Sequence, residues 1–201
     1  MNNYQKHLEE IKKIEGRPNL LLHVCCGVCS VFPIVYLRKY FDITIYYGNS
    51  NIYPYEEYEK RLDAVKDYLE MLGDDSITLI VGAYDNESFM QELKKYDDHI
   101  EGGKRCIRCY LKRMHEAYKY AFENKYDYFT TVMSISNRKN AEYINIIGEK
   151  LEKRYPDTKY LHADFEKGDG ITKNNQMNKG LDLYHQCYCG CIYSIRNNNK
   201  L

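Results

Sequence analysis

Tryptophan is absent, and neither sign of charge prevails: 29 Lys and Arg residues stand against 29 Asp and Glu. No apolar run approaches the roughly 18 residues that suggest a membrane span, which excludes a helical membrane protein at the level of sequence. The opening "MNNYQKHLEE" lacks the apolar core of a secretory signal, so a cytoplasmic protein is expected. A net charge of zero gives no global attraction to nucleic acid, and any such contact has to come from a local basic patch. Repeats, low-complexity blocks and long linkers are also missing. The 201 residues are therefore read as one domain over 1–201, with an N-terminal helical segment over 1–18 and a weakly patterned tail over 165–201.

What is present is enough for a packed core. Hydrophobic residues make up 44% and charged residues 29%, near globular averages, which excludes a disordered chain. Twenty-two tyrosines carry most of the aromatic content. Most are expected half-buried with wet hydroxyls; the count does not single out any that stack on nucleobases.

Apolar periodicity alternates between the two regular structures. Residues 4–15 have helical spacing, "LLLHV" (20–24) reads as a buried strand, and "SVFPIVYLRKY" (30–40) as a helix with Pro33 in its first turn, where a missing N–H costs little. Strands follow at 43–47, 76–84, 126–133 and 159–164, with helices at 54–72, 87–96 and 137–155 between them. A polar hinge, "DDHIEGGKR", precedes "CIRC" and an amphipathic stretch over 110–124. Strands alternating with helices imply an α/β fold with a parallel sheet covered on both faces. In such sheets ligands bind beyond the carboxyl ends of the strands.

Eight cysteines in a reducing compartment call for metal or redox chemistry rather than a disulfide scaffold. Cys25, Cys26 and Cys29 follow the first strand, at the expected site position. Cys106 and Cys109 form a C-x-x-C after a Gly-Gly turn. Four thiolates satisfy zinc and equally an iron–sulfur cluster. Adjacent Cys25 and Cys26 diverge and are easier to aim at two irons than at one ion, whereas Cys25 with Cys29 restores a zinc-like spacing, so the spacing leaves both metals open. In the tail, Cys189 and Cys191 are separated only by a glycine. A disulfide across so short a loop is strained and easily reduced, which suits a dithiol carrying two electrons. Cys187, two residues earlier, reads equally as part of this redox group or as a mere further ligand or exposed thiol. Lys104, Arg105, Arg108, Lys112 and Arg113 flank the second cysteine pair, and Arg138 with Lys139 opens the helix after the fourth strand. Both groups are candidates for nucleic-acid phosphates, although a solvated basic face is the plainer reading of each residue alone.

The landmarks "LLHVCCGVCS", "NIYPYEEYEKRL", "EGGKRCIRC", "YFTTVMSISNRKNAEYINIIG" and "YCGCIYS" together resemble the QueH type of epoxyqueuosine reductase, over about residues 20–194. The resemblance implies a Rossmann-like, HUP-type fold with an irregular cysteine-containing tail at the active site. It implies the last step of queuosine biosynthesis, reduction of epoxyqueuosine to queuosine at the wobble position of a tRNA. By position, Cys25, Cys26, Cys106 and Cys109 would ligate a 4Fe-4S cluster, and Cys189 with Cys191 would form a redox-active disulfide. An additional mononuclear iron is implied as well, with Cys29 as its candidate ligand, and an electron donor that the resemblance leaves unidentified. This chain departs from the usual pattern in "CCGVC" for "CCAPC", "GNSNIYP" for "NPNIHP", and across "GITKNNQMNKGLDLYHQ", where substrate contacts are in question.

Epoxide reduction also needs a group to protonate the departing oxygen. His23 and Tyr53 are candidates, although core packing for His23 and an ordinary loop position for Tyr53 are the plainer readings. Two rival functions remain at this level. An ATP-dependent tRNA-modifying HUP enzyme needs a Gly- and Ser-rich phosphate loop where this chain has thiols. A four-cysteine zinc module that binds RNA without catalysis would use the same ligands and the same basic surface.

Overall fold

The computed structural model of the chain describes residues 1–96 and 100–198. Five parallel strands form one sheet in the order β3-β2-β1-β4-β5: β1 Asn19–His23, β2 Asp42–Tyr47, β3 Thr78–Val81, β4 Tyr128–Thr131 and β5 Lys159–Tyr160. Covering it are α1 Asn3–Ile11, α2 Gly27–Leu37, α3 Tyr55–Leu72, α4 Asn86–Leu93, α5 Lys104–Glu123 and α6 Ala141–Arg154. The tail adds α7 Gly170–Asn178 and α8 Ile192–Asn198. The expected α/β architecture is therefore present, with the Rossmann-like strand order. No described helix is long and apolar enough to cross a membrane.

The central strand shows why the sheet needs helices on both sides. Successive side chains of β1 point to opposite faces. Leu20 and Leu22 enter a core with Ile34 of α2 and Val65 of α3, while Leu21 enters a second core with Met114 and Ala117 of α5 and Ile144 of α6. All three leucines are fully buried. In this order the chain reverses direction of winding between β1 and β4, and the crevice beyond their carboxyl ends is the switch point where ligands bind.

Several boundaries differ from the sequence reading. Helix α2 starts at Gly27, not at residue 30, so Pro33 lies inside the helix rather than in its first turn. Its missing N–H leaves the Cys29 carbonyl without a helical donor. Gly27 makes the early start possible: a Cβ there would come 2.3 Å from the Ala64 carbonyl oxygen of α3. Helix α5 starts at Lys104, so Cys106 and Cys109 sit one turn apart in a helix and not in a loop. Residues 97–99 of the polar hinge lie outside the described residues.

Strand β5 ends at Tyr160, not at residue 164, because side chains take over from the ladder. The His162 N–H donates to Glu10 (2.9 Å), and Asn145 bonds both the N–H and the carbonyl of Ala163. Strand β4 passes into a 3-10 turn over Val132–Ile135, and α6 begins only at Ala141, which puts Arg138 and Lys139 in the preceding turn. In the tail, α7 has little apolar periodicity to announce it and is held by amides. Asn174 accepts from the Phe32 N–H (3.1 Å) and donates to the Val28 carbonyl (2.9 Å), and Asn178 donates to the same carbonyl (3.0 Å).

Candidate metal centre

The thiols after β1 converge. The sulfurs of Cys25, Cys26 and Cys29 lie within 4.8 Å of one another, with 3.9 Å between Cys25 and Cys26. Cys26 is the N-cap of α2, but its sulfur makes no cap bond, and Cys29 lies in the helix's first turn. The partial positive charge at this helix end favours thiolate over thiol. Hydrogen bonds from Cys26 and Cys29, then Lys139 and Arg113, hold the Cys25 thiol well below the ordinary cysteine value, against the effect of burial. The bond to Cys25, with burial added, keeps the proton on Cys29, pushed up to about 12.

Cys106 and Cys109 stand outside that 4.8 Å group. Burial raises both thiols, and the tail thiols Cys189 and Cys191 add to this at each, while Arg113 works against it at Cys109. The link between the two groups is Arg113 of α5, one helical turn beyond Cys109. This guanidinium is 2% exposed and donates to the Asn49 side chain at 2.6 Å, which in turn donates to the Val24 carbonyl at 2.9 Å. Burial disfavours its charge, and Cys109, Cys25 and Cys189 outweigh that effect, so its pKa is raised. Among the described residues no carboxylate pairs with Arg113. A buried charge without compensation is costly, and Cys25, held toward thiolate, is the counter-charge that faces it. Lys139 is in the same position: burial opposes its charge, and Cys25, Cys189 and Cys29 raise it.

The tail is clamped onto α3. Arg61, 2% exposed, pairs with Glu57 at 2.7 Å and donates to the carbonyls of Cys189 (3.0 Å) and Tyr188 (3.2 Å). The Tyr53 N–H donates to the Gly190 carbonyl (2.8 Å), and the Tyr184 hydroxyl to Glu57 (2.7 Å). Gly190 has φ +113° and a Cβ there would meet Arg61 at 2.9 Å, so glycine is required between the two tail cysteines. Cys189 and Cys191 are both free thiols here. Cys189 lines a cavity of about 530 Å³ with Cys25 and Cys29, whereas Cys191 faces Ser194. The exposed Cys187 lines the same cavity. The charged residues on its wall are Arg61, Arg138, Lys139 and Lys179; among the described residues no carboxylate lines it.

A family model described as "Epoxyqueuosine reductase QueH" matches residues 20–197, from β1 through the clamped tail. The chain belongs to this family. The match to QueH extends to individual relatives of the same description. An epoxyqueuosine reductase QueH of Streptococcus pyogenes is 33% identical over 96% of this chain and 78% of its own length. One of Staphylococcus aureus is 35% identical over 96% and 83%, and one of Thermotoga maritima 32% identical over 88% and 90%. The resemblance read from the five landmarks is thus upheld along nearly the whole chain.

The remaining sequence candidates are scattered. His23 is fully buried, its Nδ1 at 2.8 Å from the Thr131 hydroxyl and its Nε2 at 3.3 Å from the Gly48 carbonyl. Burial and Arg113 drive its pKa down to about 3, so it is a neutral core residue. Tyr53 is exposed and faces a different pocket, beside α4 and Tyr193. The basic group around the C-x-x-C splits by helical phase. Lys104 and Arg108 are exposed, Lys112 pairs with Glu92, and Arg105 is buried with its guanidinium 4.1 Å from the Tyr193 ring centre. Arg113 faces the thiols. Arg138 is exposed at the cavity and Lys139 half-buried there. Sequence reasoning missed Asn49, Arg61, Glu57 and Gln186. The signal for Glu57 and Arg61 was present as an i, i+4 pair within "YEEYEKRL", but nothing local says that it is buried.

Proposed function

We propose that the chain reduces epoxyqueuosine to queuosine in tRNA at the crevice beyond β1 and β4, with Cys25, Cys26, Cys106 and Cys109 holding a 4Fe-4S cluster. The observation that carries this is a fully buried arginine that has no carboxylate salt bridge among the described residues and faces cysteines from three separate segments. Such a donor set fits an anionic, thiolate-held cofactor, and Arg113 and Lys139 supply the opposing charge. When bound, the cluster would deliver electrons singly to the substrate. Cys29 is the candidate ligand of an additional iron.

Epoxide to alkene and water takes two electrons and two protons. The dithiol Cys189/Cys191 carries both: on closing to a disulfide it gives up two electrons and two protons, so epoxide plus dithiol balances alkene, water and disulfide. A separate cellular electron donor must then reopen the disulfide. Arg61 keeps the Cys189 end of this dithiol in the cavity. Bases of an anticodon loop can be splayed out of the stack, and a cavity of about 530 Å³ has room to receive one. Arg138, Lys139 and Lys179 at its wall suit the flanking phosphates, and Lys104 and Arg108 are exposed cations of α5 outside that wall.

The test is anaerobic reconstitution with iron and sulfide, then incubation with a strong reductant and tRNA bearing epoxyqueuosine, with the product nucleosides read by mass spectrometry. Queuosine in the digest is the expected outcome. Zinc without sulfide in anaerobically purified protein, with no turnover, would establish the four-cysteine RNA-binding module instead, and tight ATP binding the nucleotide-using enzyme.

A further inference from the structure

Gln186 lies in the divergent part of the tail, one residue before Cys187, yet its side chain reaches the thiols after β1. Its Nε2 is 2.9 Å from the Cys26 sulfur and 3.9 Å from the Cys29 sulfur. Its Oε1 is buried and has no hydrogen-bond partner among the described residues. Against metal-bound thiolates, turning the amide over would set oxygen lone pairs against sulfur lone pairs, so the N–H side suits the sulfurs as ligands. An orphaned amide oxygen is unfavourable; the site keeps the residue for its donor. The reach is held from both sides, by Arg61 on the carbonyls of Tyr188 and Cys189 and by the amides that tie α7 to α2.

We propose that Gln186 is a positioning residue of the metal–thiolate centre, whose hydrogen bond to the Cys26 sulfur sets the metal affinity and the reduction potential of that centre. This rests on the reading that the thiols hold a metal, and it assigns a role to a residue outside the ligand set. Residues that hydrogen-bond to metal ligands orient them, and losing one typically weakens metal binding roughly 10- to 100-fold. A donor to sulfur also stabilises the more negative, reduced state of an iron–sulfur centre and so raises its potential.

Two variants separate this from a packing role. Gln186→Leu removes the donor; Gln186→Glu keeps size and shape while placing negative charge against the sulfur. Metal-free wild type and variants are titrated anaerobically with Co(II), following the thiolate-to-cobalt absorption. Both variants are expected to bind roughly 10- to 100-fold more weakly. In cluster-loaded protein, a dye-mediated redox titration should place both midpoints below wild type, Gln186→Glu the lower. Wild-type affinity and wild-type potential in both variants would overturn the proposal, as would a fall in Gln186→Leu alone, which marks a packing effect. The arms keep the two claims apart. Cobalt–thiolate bands without any iron–sulfur loading would sink the cluster reading but leave the cobalt comparison decisive for Gln186, and no such bands in wild type would sink both.

Discussion

Cys25 is the sulfur most committed to the anionic form, because two thiols donate to it and two cations stand behind it. Cys25→Ala should therefore lose iron and sulfide together on anaerobic reconstitution, measured by colorimetric assay of both. Cys189→Ala should keep the metal content and lose turnover; undiminished turnover would remove the dithiol from the reaction. Arg113→Met takes away the buried counter-charge, and iron loading should drop further than in Arg113→Lys, which keeps the charge but not the fork that bonds Asn49. Equal loading in the two variants would mean that the charge is not what the site needs. At this scale the sequence displayed the thiols and not their companions. A cysteine is conspicuous wherever it occurs, whereas an arginine inside a run of basic residues looks solvated until the helix phase turns it inward. That is how Arg113, read as part of a phosphate-binding group, comes to face sulfur.

Between elements, the tail depends on α3. Arg61→Ala would leave Glu57 buried without its counter-charge and release two carbonyls, a change in the class that costs about 3–5 kcal/mol. The expected result is early proteolytic cleavage near residues 186–191 under native conditions, with the sheet still protected; a cleavage pattern like wild type would show that the clamp is dispensable. Gly148 of α6 poses a contest of magnitudes. Alanine would gain about 1 kcal/mol of helix propensity, but its Cβ would fall 2.2 Å from the buried Tyr160 ring, and overpacking costs about 1–3 kcal/mol. Gly148→Ala should lower the urea midpoint; a raised midpoint would mean that Tyr160 swings aside freely. Long periodic elements such as α3 and α6 were legible because amphipathic spacing alone defines them. Boundaries at β5 and α7 were not, since those segments are finished by contacts with distant parts of the chain: the side chains of Glu10 and Asn145 for the first, and for the second the backbone of α2.

Across the molecule, two histidines oppose one another in pH. His162 bonds Glu10 (2.6 Å) and Glu149 (2.9 Å), joining α1, the end of β5 and α6. Burial works against its charge, but the two carboxylates raise its pKa. Its contribution is thus complete below the ordinary histidine value and is lost as pH rises through the raised one. His7, lowered by burial, acts in reverse and costs stability as pH falls below the ordinary value. The destabilisation caused by His162→Gln should accordingly be larger near pH 6 than near pH 9, as measured by thermal unfolding; a constant difference would leave the carboxylate pairing without energetic consequence. The chain carries no net charge, so tRNA binding calls for a local cationic patch, and the cavity mouth is the one proposed. Lys179→Ala should flatten the salt dependence of tRNA binding by about 0.7 in log–log slope, the value of one single-strand phosphate contact; an unchanged slope would place the phosphates elsewhere.

Sequence alone determined the strand–helix alternation, hence the parallel sheet, and placed the first cysteines at its ligand-binding edge, because periodicity and the position of a motif after a strand are local properties. It also carried the family, in motifs whose order no other arrangement of elements would require. Tertiary structure decided which charges are buried among the sulfurs, which cysteine faces the cavity and what fastens the tail. Those are contacts between segments up to 160 residues apart, as from Gln186 to Cys26, and burial is a property of the assembled neighbours rather than of the residue itself.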